Sequence, residues 1–247
     1  RYLEKEIDMI SFCIPSRGRP RFAKRLVESA IGHADHKTEF LFYLNDDDPT
    51  LEEYKDVLDN QHYTVGPNQS TCYSWNMMAK KASHDIIMLM GDDVEIQTMH
   101  WDTLISEQFQ KYNDKILLVV PSDGRQKGSG QFAEHIKKPK LWDDTNLPAP
   151  HFAVHRNWIN TTGYLAPPFF WHFFVDTYTQ KLARRINRCL YMPNVVFKAK
   201  KLFDDTAGQV RTHLNIKDRD DETWRLVGRY LNADIQNLKN FISNYPQ

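Results

Sequence analysis

The amino-terminal half of the chain alternates short apolar runs with longer amphipathic stretches. Residues 9–15 form an apolar run of strand length, and residues 21–34 place Phe22, Leu26, Val27, Ala30 and Ile31 at helical spacing. A second strand is predicted over 39–44, ending at Asn45-Asp46-Asp47-Asp48-Pro49. Thr50 can cap a helix reaching residue 60, with Glu53 as its capping-box partner. A short strand over 61–65, a helix from Ser70 or Thr71 to Ala82, a strand over 85–90, a helix over 98–112 and a strand over 116–121 continue the alternation. Repeated β-α units bury both faces of their strands when the sheet is mostly parallel with helices on both faces, so the predicted fold class is α/β.

The regularity then breaks. Residues 122–150 are rich in Gly, Lys, Asp and Pro, with Gly124, Gly128 and Gly130 close together. A loop of this length in a compact domain is functional or mobile. A strand is predicted over 151–154, and Pro167-Pro168 marks a turn. An aromatic-rich segment over 169–178 runs into a helix ending near Asn187, and another strand follows over 190–198. One terminal helix is predicted over 222–245, with Trp224, Leu226, Val227, Leu231, Ile235, Leu238 and Phe241 as its apolar stripe.

A hydrophobic share of 41% in 247 residues supports a real core, and frequent balanced charge excludes general disorder. No run approaches the ~18 apolar residues of a spanning helix, so no membrane association is expected. The start, Arg1-Tyr2-Leu3-Glu4, does not read as a signal peptide. Cys13, Cys72 and Cys189 are scattered without metal-ligand spacing, so a reducing cytoplasm is expected. Zero net charge hides an asymmetry. Residues 121–201 carry 13 Lys and Arg against 5 Asp and Glu, leaving 19 against 27 elsewhere. The basic segment, with Lys137, Lys138, Lys140, Arg184, Arg185, Arg188, Lys198, Lys200 and Lys201, can attract an anionic partner or form an ordinary solvated surface.

The candidate chemistry sits at strand ends. The apolar run Ile86-Ile87-Met88-Leu89-Met90 stops at Gly91-Asp92-Asp93-Val94-Glu95. Adjacent carboxylates need a cation, a donor or a proton to compensate them. Mn²⁺ or Mg²⁺ shared with phosphate oxygens is a common answer, and a solvated turn is the plain alternative. The first strand ends in Pro15-Ser16-Arg17-Gly18-Arg19-Pro20, a turn able to hold a nucleotide ahead of a helix amino end. Arg17 and Arg19 carry guanidinium forks suited to a diphosphate. A carboxylate among Asp46 to Asp48 can accept from a nucleobase or ribose.

In this order the three clusters resemble a GT-A (Rossmann-like) glycosyltransferase, similar to the family 2 inverting enzymes. Those enzymes open with a comparable Pro-Ser/Thr-Arg turn, use an acid after the second strand for the base, and carry an Asp-x-Asp motif after the fourth. Residues 70–90 also resemble the family's Asn-bearing helix, strand and acid pair, which implies that Asn76, as the Asn, contacts the nucleotide sugar. The likeness spans residues 9–224 and is most specific in the first half. It implies that Pro15, Ser16 and Arg17 line the nucleotide pocket, that Asp46 or Asp48 contacts the base, that Asp92 faces the ribose and that Asp93 binds the metal. Gly91 departs from the pattern by filling its first acid position, so Asp92-Asp93 or Asp93-x-Glu95 is the acid pair. The implied organisation is a single domain. Residues 9–121 bind the nucleotide sugar, residues 122–221 with a mobile loop at 122–150 bind the acceptor, and residues 222–247 are the C-terminal helix.

An inverting transfer needs a carboxylate to take the acceptor proton. The family places it in a Glu-Asp pair at the start of a late helix. Trp171-His172-Phe173-Phe174-Val175-Asp176 matches that layout, with Val175 in place of the Glu. Asp176 is the sole acid between Asp144 and Asp204, and its plain alternative is a helix cap. His172 is a second base candidate and, with Trp171, an expected acceptor-binding residue. By resemblance His213 adds a metal ligand. Trp171, Phe169, Phe170 and Trp158 can stack on a sugar or base, or fill the core.

The resemblance thus implies a metal-dependent transfer of a hexosyl or related group from a nucleotide-diphosphate sugar, such as a UDP-sugar, to an acceptor hydroxyl. The acceptor is a saccharide or, given the basic segment, a hydroxymethylated pyrimidine in DNA, which would place the protein in a phage host's cytoplasm. No protein partner is evident. A nucleotidyltransferase or a non-catalytic nucleotide-sugar-binding protein are the competing readings. The absence of a Gly-rich, Lys-containing triphosphate loop argues against the first, and fold alone does not set inversion or retention.

Overall fold

A computed structural model describes residues 9–58, 61–124, 140–141, 149–199 and 214–246. Its centre is a nine-stranded sheet. The strands are β1 (Ile10–Ser16), β2 (Glu39–Asn45), β3 (His62–Gly66), β4 (Ile86–Leu89), β5 (Val94–Ile96), β6 (Leu118–Ser122), β7 (Lys140–Leu141), β8 (Phe152–His155) and β9 (Cys189–Ala199). Their order is β3-β2-β1-β4-β8-β6-β9-β5, with β7 also on β9. β3, β2, β1, β4, β6 and β9 run one way, while β8, β5 and β7 run against them. The sheet is therefore mostly parallel.

Alternation along the strands creates two cores. Phe12, Ile14, Phe40, Phe42, Ile86 and Met88 point to one face and pack with Leu26, Val27 and Ala30 of α1 (Pro20–His33), Tyr54 of α2 (Leu51–Leu58) and Trp101 of α4 (Trp101–Phe109). Cys13, Leu41, Tyr43, Ile87, Leu89 and Phe152 point to the other. They meet α3 (Thr71–Lys81), α5 (Arg156–Thr162), α6 (Val175–Arg185) and α8 (Gly228–Asn244) through Trp75, Trp158, Tyr178 and Leu238. Helices thus cover both faces, as the strand pattern requires. Trp158 and Phe170 are 1% exposed in this second core, so neither reaches a ligand. Phe169 packs in an aromatic group with Phe170, Tyr178 and Tyr230.

Several elements depart from the sequence reading. β5, β7 and α5 are additional. The terminal helix is two: α7 (Ile216–Leu226) precedes α8, with Val227 as the junction. Gly228, a weak helix former, opens the second helix. α4 begins at Trp101 because His100 takes a left-handed conformation, φ 59°. The Thr50 hydroxyl donates to Asp48 Oδ1 at 2.8 Å. Most of the loop at 122–150 lies outside the described residues. No helix among the described residues is long and apolar enough to cross a membrane.

The connectivity positions the site. From β1 the chain builds outward through β2 and β3, then returns to place β4 on the opposite side of β1. A crevice opens beyond the carboxyl ends of adjacent parallel strands where the winding direction reverses.

Candidate active site

A cleft of about 470 Å³ lies at that crevice. Its lining includes Pro15 and Ser16 at the end of β1, Arg17 and Arg19 after it, Tyr43 and Asn45 of β2, and Asn68 to Thr71 leading into α3. Gly91 and Asp93 follow β4, His151 precedes β8, and Trp171 to Asp176 lead into α6. Sequence positions far apart are brought together because each lies at a strand terminus or a helix start on the same rim.

The floor is a buried polar network. Ser16 Oγ donates to Asp92 Oδ2 at 2.5 Å and lies 2.6 Å from the Tyr54 hydroxyl. That hydroxyl accepts from the Arg19 backbone N–H at 2.9 Å. Arg19 Nη2 sits 2.8 Å from Asp92 Oδ1. Asp92 is fully buried beneath the cleft and is absent from its lining. Burial, opposed by Arg19 and by the Ser16 hydrogen bond, pushes its carboxyl up to about 6. An ionised Asp92 at neutral pH fixes Arg19 and Ser16 at the cleft wall.

The acidic run after β2 divides by environment. Asp48 is buried and its oxygens accept from Gly18 N–H at 2.8 Å and from Thr50 N–H at 2.9 Å, so it locks the turn between β1 and α1. Asp46 is exposed and outside the cleft lining. Asp47 forms an ion pair with Arg17 and accepts from Asn68 Nδ2 at 3.3 Å. The polar side chains that do face the cleft here are Asn45 and Asn68, which the sequence reading passed over in favour of acids.

Asn76 is also outside the lining. Its Oδ1 accepts from Leu165 N–H at 2.9 Å and Ala166 N–H at 3.0 Å, and its Nδ2 donates to Ala166 O at 2.7 Å. It staples α3 to the 165–166 segment.

Asp93 borders the cleft, and among the described residues no hydrogen bond or ion pair engages its carboxylate. A Cβ at Gly91 would stand 2.9 Å from Asp93 Oδ1 and 3.6 Å from His151 Cε1. The missing side chain therefore leaves Asp93 its room. No cluster of three or more His, Cys, Asp or Glu suited to a metal occurs among the described residues. One uncompensated carboxylate fits Mn²⁺ or Mg²⁺ shared with phosphates, since such ions are held by one or two carboxylates plus substrate oxygens. His213 lies outside the described residues.

The opposite wall is aromatic. The His172 ring stacks near Trp75, centroids 6.4 Å apart at 16°, with Nδ1 3.0 Å from Thr71 Oγ1. The Arg219 guanidinium covers Trp171 at 4.3 Å. Phe174 takes a left-handed conformation, φ 65°, and launches α6, which puts Asp176 in its first turn at the cleft. Asp176 Oδ1 accepts from Thr177 N–H at 2.7 Å. Burial raises the Asp176 carboxyl above the usual range, against these local hydrogen bonds. A helix amino end favours its ionised form.

Of the basic segment, Arg188 lies 3.3 Å from Asp114 Oδ2 and 4.7 Å from the Tyr112 ring, so its charge is spent inside the fold. Lys137, Lys138, Lys200 and Lys201 lie outside the described residues.

No family model and no curated protein sequence matches the chain. Solved structures do. A mannosyltransferase, PcManGT from Pyrobaculum calidifontis, in complex with GDP-Man and Mn²⁺, superposes with a TM-score of 0.61 at 13% identity, over 93% of this chain and 70% of that one. Residues 1–349 of S. aureus TarS with UDP-GlcNAc give 0.60 at 12% identity, over 81% and 60%. The same protein with UDP gives 0.57 at 13% identity, over 76% and 59%. The chain thus spans about three fifths of the TarS chains it matches. Its fold is of the GT-A glycosyltransferase type.

Proposed function

We propose that the chain is a metal-dependent glycosyltransferase that moves a sugar from a nucleoside-diphosphate sugar to an acceptor hydroxyl with inversion. The observation that carries this reading is one cleft, at the crevice between β1 and β4, bordered by Arg17, Arg19, Asp93 and Asp176. The UDP, UDP-GlcNAc and GDP-Man bound by the similar structures support the donor class.

In this reading the base lies toward Tyr43, Asn45 and Asn68, and the diphosphate toward Arg17, Arg19 and Asp93. Asp93 would hold a divalent ion, which would supply positive charge against that developing on the leaving diphosphate. The acceptor oxygen attacks the anomeric carbon, and its proton passes to Asp176. The bond from that carbon to the diphosphate oxygen breaks, and its electron pair leaves with the phosphate. Asp176 Oδ1 is occupied by Thr177, which leaves Oδ2 to take the proton. The raised proton affinity of this half-buried carboxyl makes it a better base than a solvated one.

The wall of Trp171, His172, Phe173 and Phe174 supports a saccharide acceptor, because aromatic faces pack against the apolar faces of sugar rings. The engagement of Arg188 with Asp114 and Tyr112 removes that charge from the support for a DNA acceptor, while Arg185 and Lys198 stay exposed. Asp176→Asn is expected to bind donor nucleotide as the wild type does and to transfer about 10²–10⁴-fold more slowly. An unchanged transfer rate would remove Asp176 as the base.

A further inference from the structure

The acceptor wall is held from behind by one carboxylate that no part of the proposed chemistry uses. Asp220 of α7 is 0% exposed. Its Oδ1 accepts from Trp171 N–H at 2.7 Å, and its Oδ2 accepts from His172 N–H at 2.8 Å and Phe173 N–H at 2.7 Å. Three consecutive amides converging on one anion form a concave backbone site that the protein fills with its own side chain. On the other side, the Trp171 carbonyl accepts from Thr71 N–H at 2.9 Å and Cys72 N–H at 3.4 Å, the first amides of α3. Residues 171–173 therefore form a strap clamped between α3 and α7. Arg219, next to Asp220, covers the Trp171 ring at 4.3 Å. Leu214 and Ile216 bring the start of α7 to the cleft itself.

We infer that Asp220 is a positioning residue for the acceptor side of the site: its carboxylate sets the backbone of 171–173, and through Phe174 the placement of Asp176. This assignment rests on the proposed transferase reading for its consequence in turnover, while its structural content stands apart from it. Among the described residues, the donor side, built by β1, β2 and the Asn68–Thr71 rim, has no hydrogen bond to Asp220. Replacing Asp220 by Asn exchanges an acceptor oxygen for an N–H that opposes the strap amides. The wall should loosen while the donor side stays formed.

The test compares wild type, Asp220→Asn and Asp220→Glu. Backbone amide exchange at 171–173, UDP and GDP binding with Mn²⁺, and turnover of UDP-GlcNAc and GDP-mannose against free mono- and oligosaccharides are measured. In Asp220→Asn, exchange at 171–173 should accelerate at least tenfold with β1 and β4 still protected. Nucleotide affinity should hold within about threefold, and transfer should fall far more than binding. Asp220→Glu, which keeps the acceptor oxygens, should recover part of the protection and carries the same comparison if Asp220→Asn does not fold. Unchanged exchange at 171–173, or loss of protection throughout the sheet in both variants, overturns the positioning role. Failure of the wild type to bind either nucleotide overturns the donor reading instead and leaves the exchange result to judge Asp220.

Discussion

Gly91 stands where the family pattern has an acid, and a side chain there would crowd Asp93. A Cβ there would meet Asp93 Oδ1 at 2.9 Å, and that carboxylate can swing away. Gly91→Ala should therefore fold normally but turn Asp93 from its position. The expected result is a Mn²⁺-dependent nucleotide affinity about tenfold lower, or ~1.4 kcal/mol, with little change in Tm. Calorimetry with and without Mn²⁺ checks this, and an unchanged metal dependence would show that the Asp93 orientation does not matter. Asp176 makes a pH prediction. Burial raises its proton affinity, so its base form is lost on acidification at a higher pH than the ~3.9 of an ordinary aspartate. The limb that Asp176 sets should fall above that value and be lost in Asp176→Asn, while protonation of Asp92 near 6 weakens donor binding in both proteins. A limb retained by the variant would assign it to another group. At this scale the sequence was legible in part. Asp93, Arg17 and Asp176 were visible because each follows an apolar run or opens a helix. The acids after β2 could not be told apart in sequence, because three adjacent Asp residues look alike until burial and backbone partners separate them. Asp220 was hidden in a run of charges, where only a tertiary partner marks it.

Elements were legible wherever apolar periodicity was long. β1, β2, α1 and α3 fall within a residue or two of their predicted bounds. β5 is three residues and β7 two, too short for alternation to register. α5, rich in Asn and Thr, buries only Trp158, so its packing and not its propensity decides it. The junction at Val227 was masked by an apolar stripe that runs on across it. The antiparallel setting of β8 leaves no mark in its sequence, since a strand covered on both faces reads the same in either direction. Asn76 belongs at this scale, as the joint between α3 and the segment before α6. Asn76→Ala leaves the buried amides of Leu165 and Ala166 without their acceptor. At ~1–3 kcal/mol for each of the two orphaned amides, a loss of about 2–6 kcal/mol is expected. Urea unfolding should show it, with nucleotide affinity of the folded protein retained. Lost affinity at unchanged stability would instead make Asn76 a donor contact, as the family resemblance implies.

At the scale of the molecule, the placement of β4 beside β1 does the organising. It brings two strand ends to one crevice, and the return through β8 and β9 carries the aromatic strap and Asp176 to the facing side. Strand order of this kind cannot be read from residue pattern alone, because pattern fixes which faces are buried and not which neighbour covers them. The resemblance to GT-A enzymes supplied the fold class in advance, and the structure supplies the order. The central claim is that this crevice holds a nucleoside diphosphate with a metal shared at Asp93. The most direct measurement is thermal stability of wild type and Asp93→Asn against UDP, GDP and their sugar nucleotides, with and without Mn²⁺. Ligand at 100 times its Kd stabilises the folded state by ~2.7 kcal/mol, enough to move Tm by several degrees. The account predicts a Mn²⁺-dependent rise with one nucleotide series that disappears in Asp93→Asn. A wild type whose Tm is unmoved by every nucleotide, or a shift equal in both proteins, would contradict it.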